Sequence, residues 1–498
     1  MFNKNKTFSY AVRISLAALV LIIIMLLCLS QLAVKRIPLL SYAILTAKIF
    51  FSLWIFSSDL SERAKCSWTV FILLFPALAI LFYLVFHCKR LTKREKLFMN
   101  FISDKKPKKE AFEDKMLLKC KYNLTFLKEI ANRSSAEVYS NTDADYYRDA
   151  KEMFANLAYD IKRARSFIFL EFYIVASGEA FGNIFKLLKD KAKAGVEVRI
   201  IYDGVGSLGR LPSKFISIME SAGIKAASSP AFSFKLNNRN HRKIVIIDGE
   251  IAYTGGINLA DEYIYSKTRL GRWKDSAVRL YGEAVNALTY TFLSDFAFLS
   301  GKNEDFSKYY KYRKRKCSGQ TIAFSDGPFP FYKEKNAKKI IISMLDAAEK
   351  YFLITTPYLI CDSDILSAVL AASERGVKIR VAIPKKPDKY LVSVLSRRYA
   401  EKLARAGAQV YLYTPGFLHS KAYLCDGKFL MLGTVNLDYR SLFHNFENGV
   451  LFAEHKIIKD AEEDLNSIFS DSEIYERKRE RLPLRLLCSV LEIFAPLL

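Results

Sequence analysis

The sequence predicts an α/β protein made of two α/β/α sandwich halves related by a pseudo-twofold duplication, preceded by N-terminal transmembrane helices. Three observations carry this. A set of polar residues recurs at a constant displacement of 178 positions. Around each copy, strand-like and helix-like segments alternate. The first 90 residues, by contrast, hold long apolar runs. At 498 residues the chain has room for about three domain-sized units, at roughly 150 residues each. Its 51% hydrophobic content excludes disorder. Eight cysteines without a CxxC pair exclude a disulfide scaffold and read as reduced cytosolic or membrane thiols. The net charge of +25 leaves three partners open: nucleic acid, anionic lipid or a phosphate-bearing substrate.

Residues 1–88 read as a membrane anchor of two to three transmembrane segments. Ser15–Val34 has no charge over twenty residues, enough to cross a hydrocarbon core of about 30 Å. Ile37–Ser57 is a second apolar stretch, weakened by Lys48, which would suit a re-entrant or interfacial segment. Trp68–Phe86 is a third, with Pro76 inside it. A cleaved signal peptide fits the first stretch less well, because no small-x-small site follows it. Residues 89–134 form a basic linker, with twelve Lys/Arg against five Asp/Glu between Lys89 and Lys121. The positive-inside rule then places everything after Phe86 on the cytoplasmic side of the cell membrane. Lys4, Lys6 and Arg13 favour an inside N-terminus, which needs an even number of crossings, so the N-terminal side stays open. The basic run serves as a topology signal, as an attraction for anionic headgroups, or as both.

The halves span 135–317 and 318–475. In the first, the strand-like run Arg165–Val175 is followed by a helix pattern ending at Gly195, the strand VEVRIIYDG, and a helix closed at Gly223. In the second, Lys350–Ile360 precedes a helix ending at Gly376, the strand VKIRVAIPK, and a helix closed at Gly407. The tail, 476–498, places RKRER before the apolar run Leu484–Leu498. It suits either an interfacial amphipathic helix or a helix packed on the two halves.

The duplicated motif is explicit. His241, Lys243, Asp248, Gly255, Gly256 and Asn258 recur as His419, Lys421, Asp426, Gly433, Thr434 and Asn436. Side chains at i and i+2 of a strand share a face, so each histidine projects with its lysine. Asp-Gly at 248–249 and 426–427 predicts a tight hairpin returning the glycine and the asparagine. Two imidazoles, two lysines and two amides on one composite site suit an anionic phosphodiester. The cations and amides would stabilise the phosphate oxygens. One neutral histidine would attack phosphorus to form a phosphohistidine, and the other would protonate the leaving alkoxide. Asp248 and Asp426 complete the motif and are counted with the catalytic set, although their place at a turn favours a turn-setting or salt-bridging role. Asp275 and Glu447 are expected to hold the imidazoles from behind, the alternative being solvated surface carboxylates. His87, His444 and His455 form no ligand spacing with the motif histidines, so no metal and no cofactor is expected.

These residues, with the phrases NHRKIVIIDGEIAYTGGINLADEYI, TTPYLI, GFLHSKA and GTVNLDYRSLFHNFEN, resemble the bacterial cardiolipin synthases of the phospholipase D superfamily. The resemblance extends over essentially the whole chain. It implies a phospholipase D-like fold and a phosphatidyltransferase that joins two phosphatidylglycerol molecules into cardiolipin and releases glycerol. His241 and His419 would then be nucleophile and acid/base, with His241 favoured as nucleophile, and Lys243, Lys421, Asn258 and Asn436 would bind phosphate. The implied partners are phosphatidylglycerol and an anionic membrane rather than nucleic acid; oligomeric state is left open. Alternatives on the same site are phospholipase D hydrolysis and transfer to another alcohol. From another class comes a non-catalytic membrane protein binding anionic lipid, which would have no use for paired histidines.

Overall fold

The computed structural model describes residues 38–58, 60, 62–86, 93–107, 124–134, 136–229, 238–264, 269–312, 317, 319–329, 331–476 and 482–497. Contacts divide the chain into two compact units. One comprises Met1–Cys88, Phe232–Leu236 and Ser489–Leu498; the other comprises Lys89–Ala231 and Asn237–Cys488.

The second unit contains both halves of the duplication, each built on a mixed sheet. The first sheet runs, edge to edge, Thr142–Tyr147, Ala277–Gly282, Ile251–Gly255, Lys243–Ile247, Phe167–Phe172, Glu197–Asp203 and Ile224–Ser229. The second repeats this order with Gln320–Asp326, Glu447–Ala453, Phe429–Gly433, Ala422–Cys425, Tyr351–Thr355, Lys378–Pro384 and Gln409–Tyr413, and adds Ser472–Ile474 at the edge. In each sheet the last three shared strands are parallel and the others antiparallel. The parallel strands require helical crossovers. These are Glu179–Lys193 and Phe215–Ser221 in one half, and Ser363–Glu374 and Tyr390–Arg405 in the other.

Helix ends follow from local chemistry. Gly195, Gly223, Gly376 and Gly407 take positive φ at the helix C-termini, where a Cβ would be strained. Asp149 and Asp362 cap N-termini by accepting from the backbone N–H of Lys151 and Ile365. The inner faces of the two sheets share one core, in which Phe169, Ile246 and Leu280 cluster with Leu353, Leu424 and Phe452 and with the helices Val285–Ser300 and Ile457–Ser470. Burying both inner faces against each other fixes how the halves meet, and so fixes the site between them.

The predicted span Ser15–Val34 lies outside the described residues. Among the described residues, no helix is long and apolar enough to cross a membrane. Pro38–Phe56 is a helix of 19 residues over the second apolar stretch. The third is divided between Glu62–Leu74 and Pro76–Phe86. Pro76 has no N–H to continue the ladder, and the break falls there. Lys48, the charge within the second stretch, donates to the Leu73 carbonyl beside the break at 2.9 Å. The tail forms the helix Leu482–Phe494, and RKRER at 477–481 lies outside the described residues. Within the first unit, the Ile493 carbonyl accepts from the Ser67 hydroxyl, and Phe494 lies edge-on to Phe71 at 5.8 Å.

Candidate active site between the halves

Two short pairings join the halves and place the histidines. Gly416–Leu418, just before His419, runs parallel to Arg272–Lys274. Asn240, just before His241, bridges in the same sense to Phe446. The His419 N–H donates to the Lys274 carbonyl at 2.7 Å, and the His241 N–H donates to the Phe446 carbonyl at 2.9 Å. The next residue on each partner segment is a carboxylate. Glu447 Oε2 therefore lies 2.8 Å from His241 Nδ1, and Asp275 Oδ2 lies 2.6 Å from His419 Nδ1. Both carboxylates are buried, which removes the solvated alternative.

The partnership is crossed: each imidazole belongs to one half and its carboxylate to the other. The motif glycines make room for it. A Cβ at Gly255 or Gly433 would collide with the backbone carbonyl of Ser276 or Asn448, beside the carboxylate-bearing segments. Gly256 and Thr434 then tie those same segments down by donating their N–H to the Ser276 and Asn448 carbonyls, each at 3.0 Å.

With Nδ1 facing a carboxylate, Nε2 of each ring is left for substrate. Burial lowers the His241 pKa to about 4, partly opposed by Glu447. Burial and then the Lys421 charge lower that of His419 to about 3. Both rings are therefore neutral at pH 7, the form a nucleophile needs. Burial also brings Lys243 down to about 7 and Lys421 to about 8. Burial pushes the pKa of Glu447 and Asp275 upward, but the cationic neighbours prevail and hold both below the usual carboxylate range. The Lys421 charge acts on His241 and the Lys243 charge on His419, so the four residues share one electrostatic site.

The asparagines are placed differently from each other. Asn258 Oδ1 accepts from the Ile174 N–H at 3.1 Å and its Nδ2 donates to the Tyr263 hydroxyl at 2.7 Å. Asn436 is buried with no hydrogen-bond partner on Oδ1.

Asp248 and Asp426 require a correction to the catalytic set. They stand at the far end of the motif strands, with φ of 54° and 53° in the hairpin turns. Asp248 accepts from the N–H groups of Arg165, Ser166 and Phe167, and Asp426 from those of Glu349, Lys350 and Tyr351. With three backbone donors each, these carboxylates start the neighbouring strands and do not reach substrate. His455 is also apart: its Nε2 donates to the Thr142 carbonyl and its Nδ1 accepts from the Ile457 N–H. His444 lies in the turn Arg440–His444, and His87 falls outside the described residues.

Several supporting residues escape sequence reasoning. The Thr434 hydroxyl and the Asn445 amide both donate to Glu447. Arg242, fully buried, bonds the Glu447 carbonyl at 3.2 Å and pairs with Asp295. The Tyr173 ring lies 4.9 Å from His241, whereas Trp273, Tyr263 and Phe417 surround His419. Only Thr434 carried a signal, since it replaces the first half's Gly256 in the repeat.

This set can make and break a phosphodiester with histidine as the covalent carrier. Among the described residues no group of three or more His, Cys, Asp or Glu is arranged to hold a metal.

Comparison with known proteins agrees with this geometry. The family described as "Cardiolipin synthase, PLD-like domain" matches residues 157–284 and 341–469. A Halalkalibacterium halodurans protein named cardiolipin synthase is 35% identical over 80% of this chain and 81% of its own length. An uncharacterized Streptococcus mutans protein is 34% identical over 90% of this chain and 99% of its own. Among solved structures, a phosphatidylserine synthase from Haemophilus influenzae matches with a TM-score of 0.59 at 14% identity, over 75% of this chain and 97% of that one, a likeness of fold.

Proposed function

The chain belongs to the family of cardiolipin synthases with phospholipase D-like domains, and we propose that it transfers the phosphatidyl group of one phosphatidylglycerol to a second, forming cardiolipin and releasing glycerol. The observation that carries this is the crossed pair of neutral imidazoles, each with Nδ1 held by a buried carboxylate, beside two buried lysines.

In the first step, His241 Nε2 attacks phosphorus, the P–O bond to glycerol breaks, and His419 donates a proton to the departing alkoxide. The anionic phosphodiester entering the site raises the histidine pKa values, so that His419 takes up from solvent the proton it then donates. In the second step, neutral His419 removes the proton from a terminal hydroxyl of the acceptor, its oxygen attacks phosphorus, and the P–N bond breaks. Lys243 and Lys421 stabilise the phosphate oxygens throughout, joined in this reading by the amides of Asn258 and Asn436. The ammonium of Lys421 lies 2.7 Å from His419 Nδ1, which makes a protonated His419 a stronger acid and supports its role opposite the nucleophile His241.

Supplying purified protein with vesicles of phosphatidylglycerol alone tests this. Cardiolipin and glycerol should appear in equal amounts. Phosphatidic acid as the main product would instead make the protein a hydrolase. We further assign residues 1–88 to a membrane anchor with the catalytic unit on the cytoplasmic side, on the strength of the uncharged run Ser15–Val34 and the basic residues after Phe86. Extraction of the full chain from membranes by alkaline carbonate would refute the anchor.

A further inference from the structure

Cardiolipin formation from two phosphatidylglycerols brings two phosphates to one site, and the duplicated lysines account for the one being transferred. The second calls for a cation that the duplication does not repeat. Arg239 is such a cation. It sits two residues before His241, on the segment whose backbone bonds Phe446 from both sides. Its counterpart 178 positions on is Phe417, a buried ring packed 4.8 Å from Trp273 and 5.9 Å from His419. The cation is thus confined to one side of the composite site.

Arg239 is 5% exposed, yet its Nε and Nη1 have no hydrogen-bond partner. A buried guanidinium left this way is costly unless a ligand completes it. Asp203 does not complete it. Its Oδ1 lies 3.8 Å from Nη1 and already accepts from Val205 and Gly206 N–H at 3.0 and 2.8 Å. Its Oδ2 accepts from the Ser229 hydroxyl and the Asn240 N–H. Burial raises the pKa of the Tyr173 hydroxyl, and the charges of Asp203, Arg440, Arg239 and Arg210 act on it together. The Tyr173 ring meanwhile contacts His241 and lies under Lys243 Nζ at 5.5 Å. Tyr173 therefore lies between the reacting imidazole and the charges of Asp203, Arg440, Arg239 and Arg210.

Resting on the transferase reading above, we propose that Arg239 binds the phosphate of the acceptor phospholipid and so selects an anionic acceptor. The glycerol bridge between that phosphate and the terminal hydroxyl would then deliver the hydroxyl to the phosphohistidine. Orientation by a charged anchor is how such a site distinguishes a lipid alcohol from water or free glycerol.

The test uses full-length protein in phosphatidylglycerol vesicles with two readouts. One is cardiolipin formation. The other is exchange of radiolabelled glycerol into phosphatidylglycerol, which uses the same donor and histidines but an uncharged acceptor. In Arg239→Gln the ratio of cardiolipin formation to exchange should fall at least about tenfold, as expected for a lost charge-assisted contact. Arg239→Lys, which keeps the charge, should hold the ratio to within about threefold of wild type. Parallel losses of both reactions in the two variants, or an unchanged ratio in Arg239→Gln, would make Arg239 structural and overturn the assignment alone. Wild-type protein that exchanges glycerol but forms no cardiolipin would overturn the transferase reading, and this assignment with it.

Discussion

His241 and His419 stand at equivalent positions of the repeat, but the protein surrounds them differently. Glu447, behind His241, is bonded by the Thr434 hydroxyl and the Asn445 amide. Asp275, behind His419, accepts from its neighbour Ser276 at 2.8 Å and has Lys421 at 3.7 Å. The shorter carboxylate goes with Gly256, whose missing side chain leaves it room; the longer one goes with Thr434 at the matching position. Around His419 the walls are aromatic, whereas His241 has Tyr173 and the cationic group beyond it. Duplication thus preserved the geometry at Nδ1 while the surroundings diverged. Such divergence lets one imidazole specialise as nucleophile and the other as acid.

The largest effects should come from the histidines. His241→Ala and His419→Ala should each lower turnover on phosphatidylglycerol by at least about 10⁴-fold. A phosphodiester with a nitrophenolate leaving group, which needs no acid, should separate them. His419→Ala should still give a burst of nitrophenolate in stopped-flow, and His241→Ala should give none. Equal bursts would erase the proposed difference.

Next come the crossed carboxylates. Glu447→Gln and Asp275→Asn should lower kcat about 10²- to 10³-fold by releasing their rings. With the activated substrate, Asp275→Asn should lose less of the burst than Glu447→Gln, because Asp275 serves the opposite half's acid. The reverse order would break the crossed assignment.

Making the halves more alike should also cost activity. Gly256→Thr forces a Cβ into the Asp275 carboxylate and should lower kcat about 10²-fold. Thr434→Gly removes one hydrogen bond to Glu447 and should cost only about tenfold. Steady-state kinetics on phosphatidylglycerol checks both.

The pH profile follows from the shifted groups. Protonation of His241 below about 4 removes the nucleophile, so kcat/KM should fall on the acid side only there. Loss of the Lys243 charge above about 7 and of Lys421 above about 8 should lower it again. An acid limb near the ordinary histidine value would contradict the burial of the imidazoles. The smallest effect on chemistry should come from Asp248→Asn, which weakens three backbone hydrogen bonds at a strand start. Thermal unfolding should shift down by a few degrees, about 1–2 kcal/mol, with kcat nearly retained.

Much of the fold was readable because local signals agreed with the global repeat. The glycines at 195, 223, 376 and 407 end helices as their spacing implied, and Asp-Gly at 248 and 426 forms the expected hairpins. Residues 275 and 447 were also identifiable as carboxylates beyond the return strand. Their crossing was not, because it depends on Gly416–Leu418 meeting Arg272–Lys274, a pairing between segments 144 positions apart with no local signature. Arg239 was invisible for a related reason. In sequence it is one basic residue among many, and only its burial with Nε and Nη1 lacking hydrogen-bond partners sets it apart. Asp248 and Asp426 were counted with the catalytic set through motif membership, while their place at a turn already favoured the structural role that the backbone donors assign.

The division of labour between the histidines is tested most directly by trapping the covalent carrier. Phosphatidylglycerol labelled at phosphorus, mixed with enzyme and quenched under denaturing conditions within one turnover, should leave label on the peptide containing His241. None should appear on the peptide containing His419. Label on His419, or equally on both, would contradict the asymmetry drawn from their surroundings.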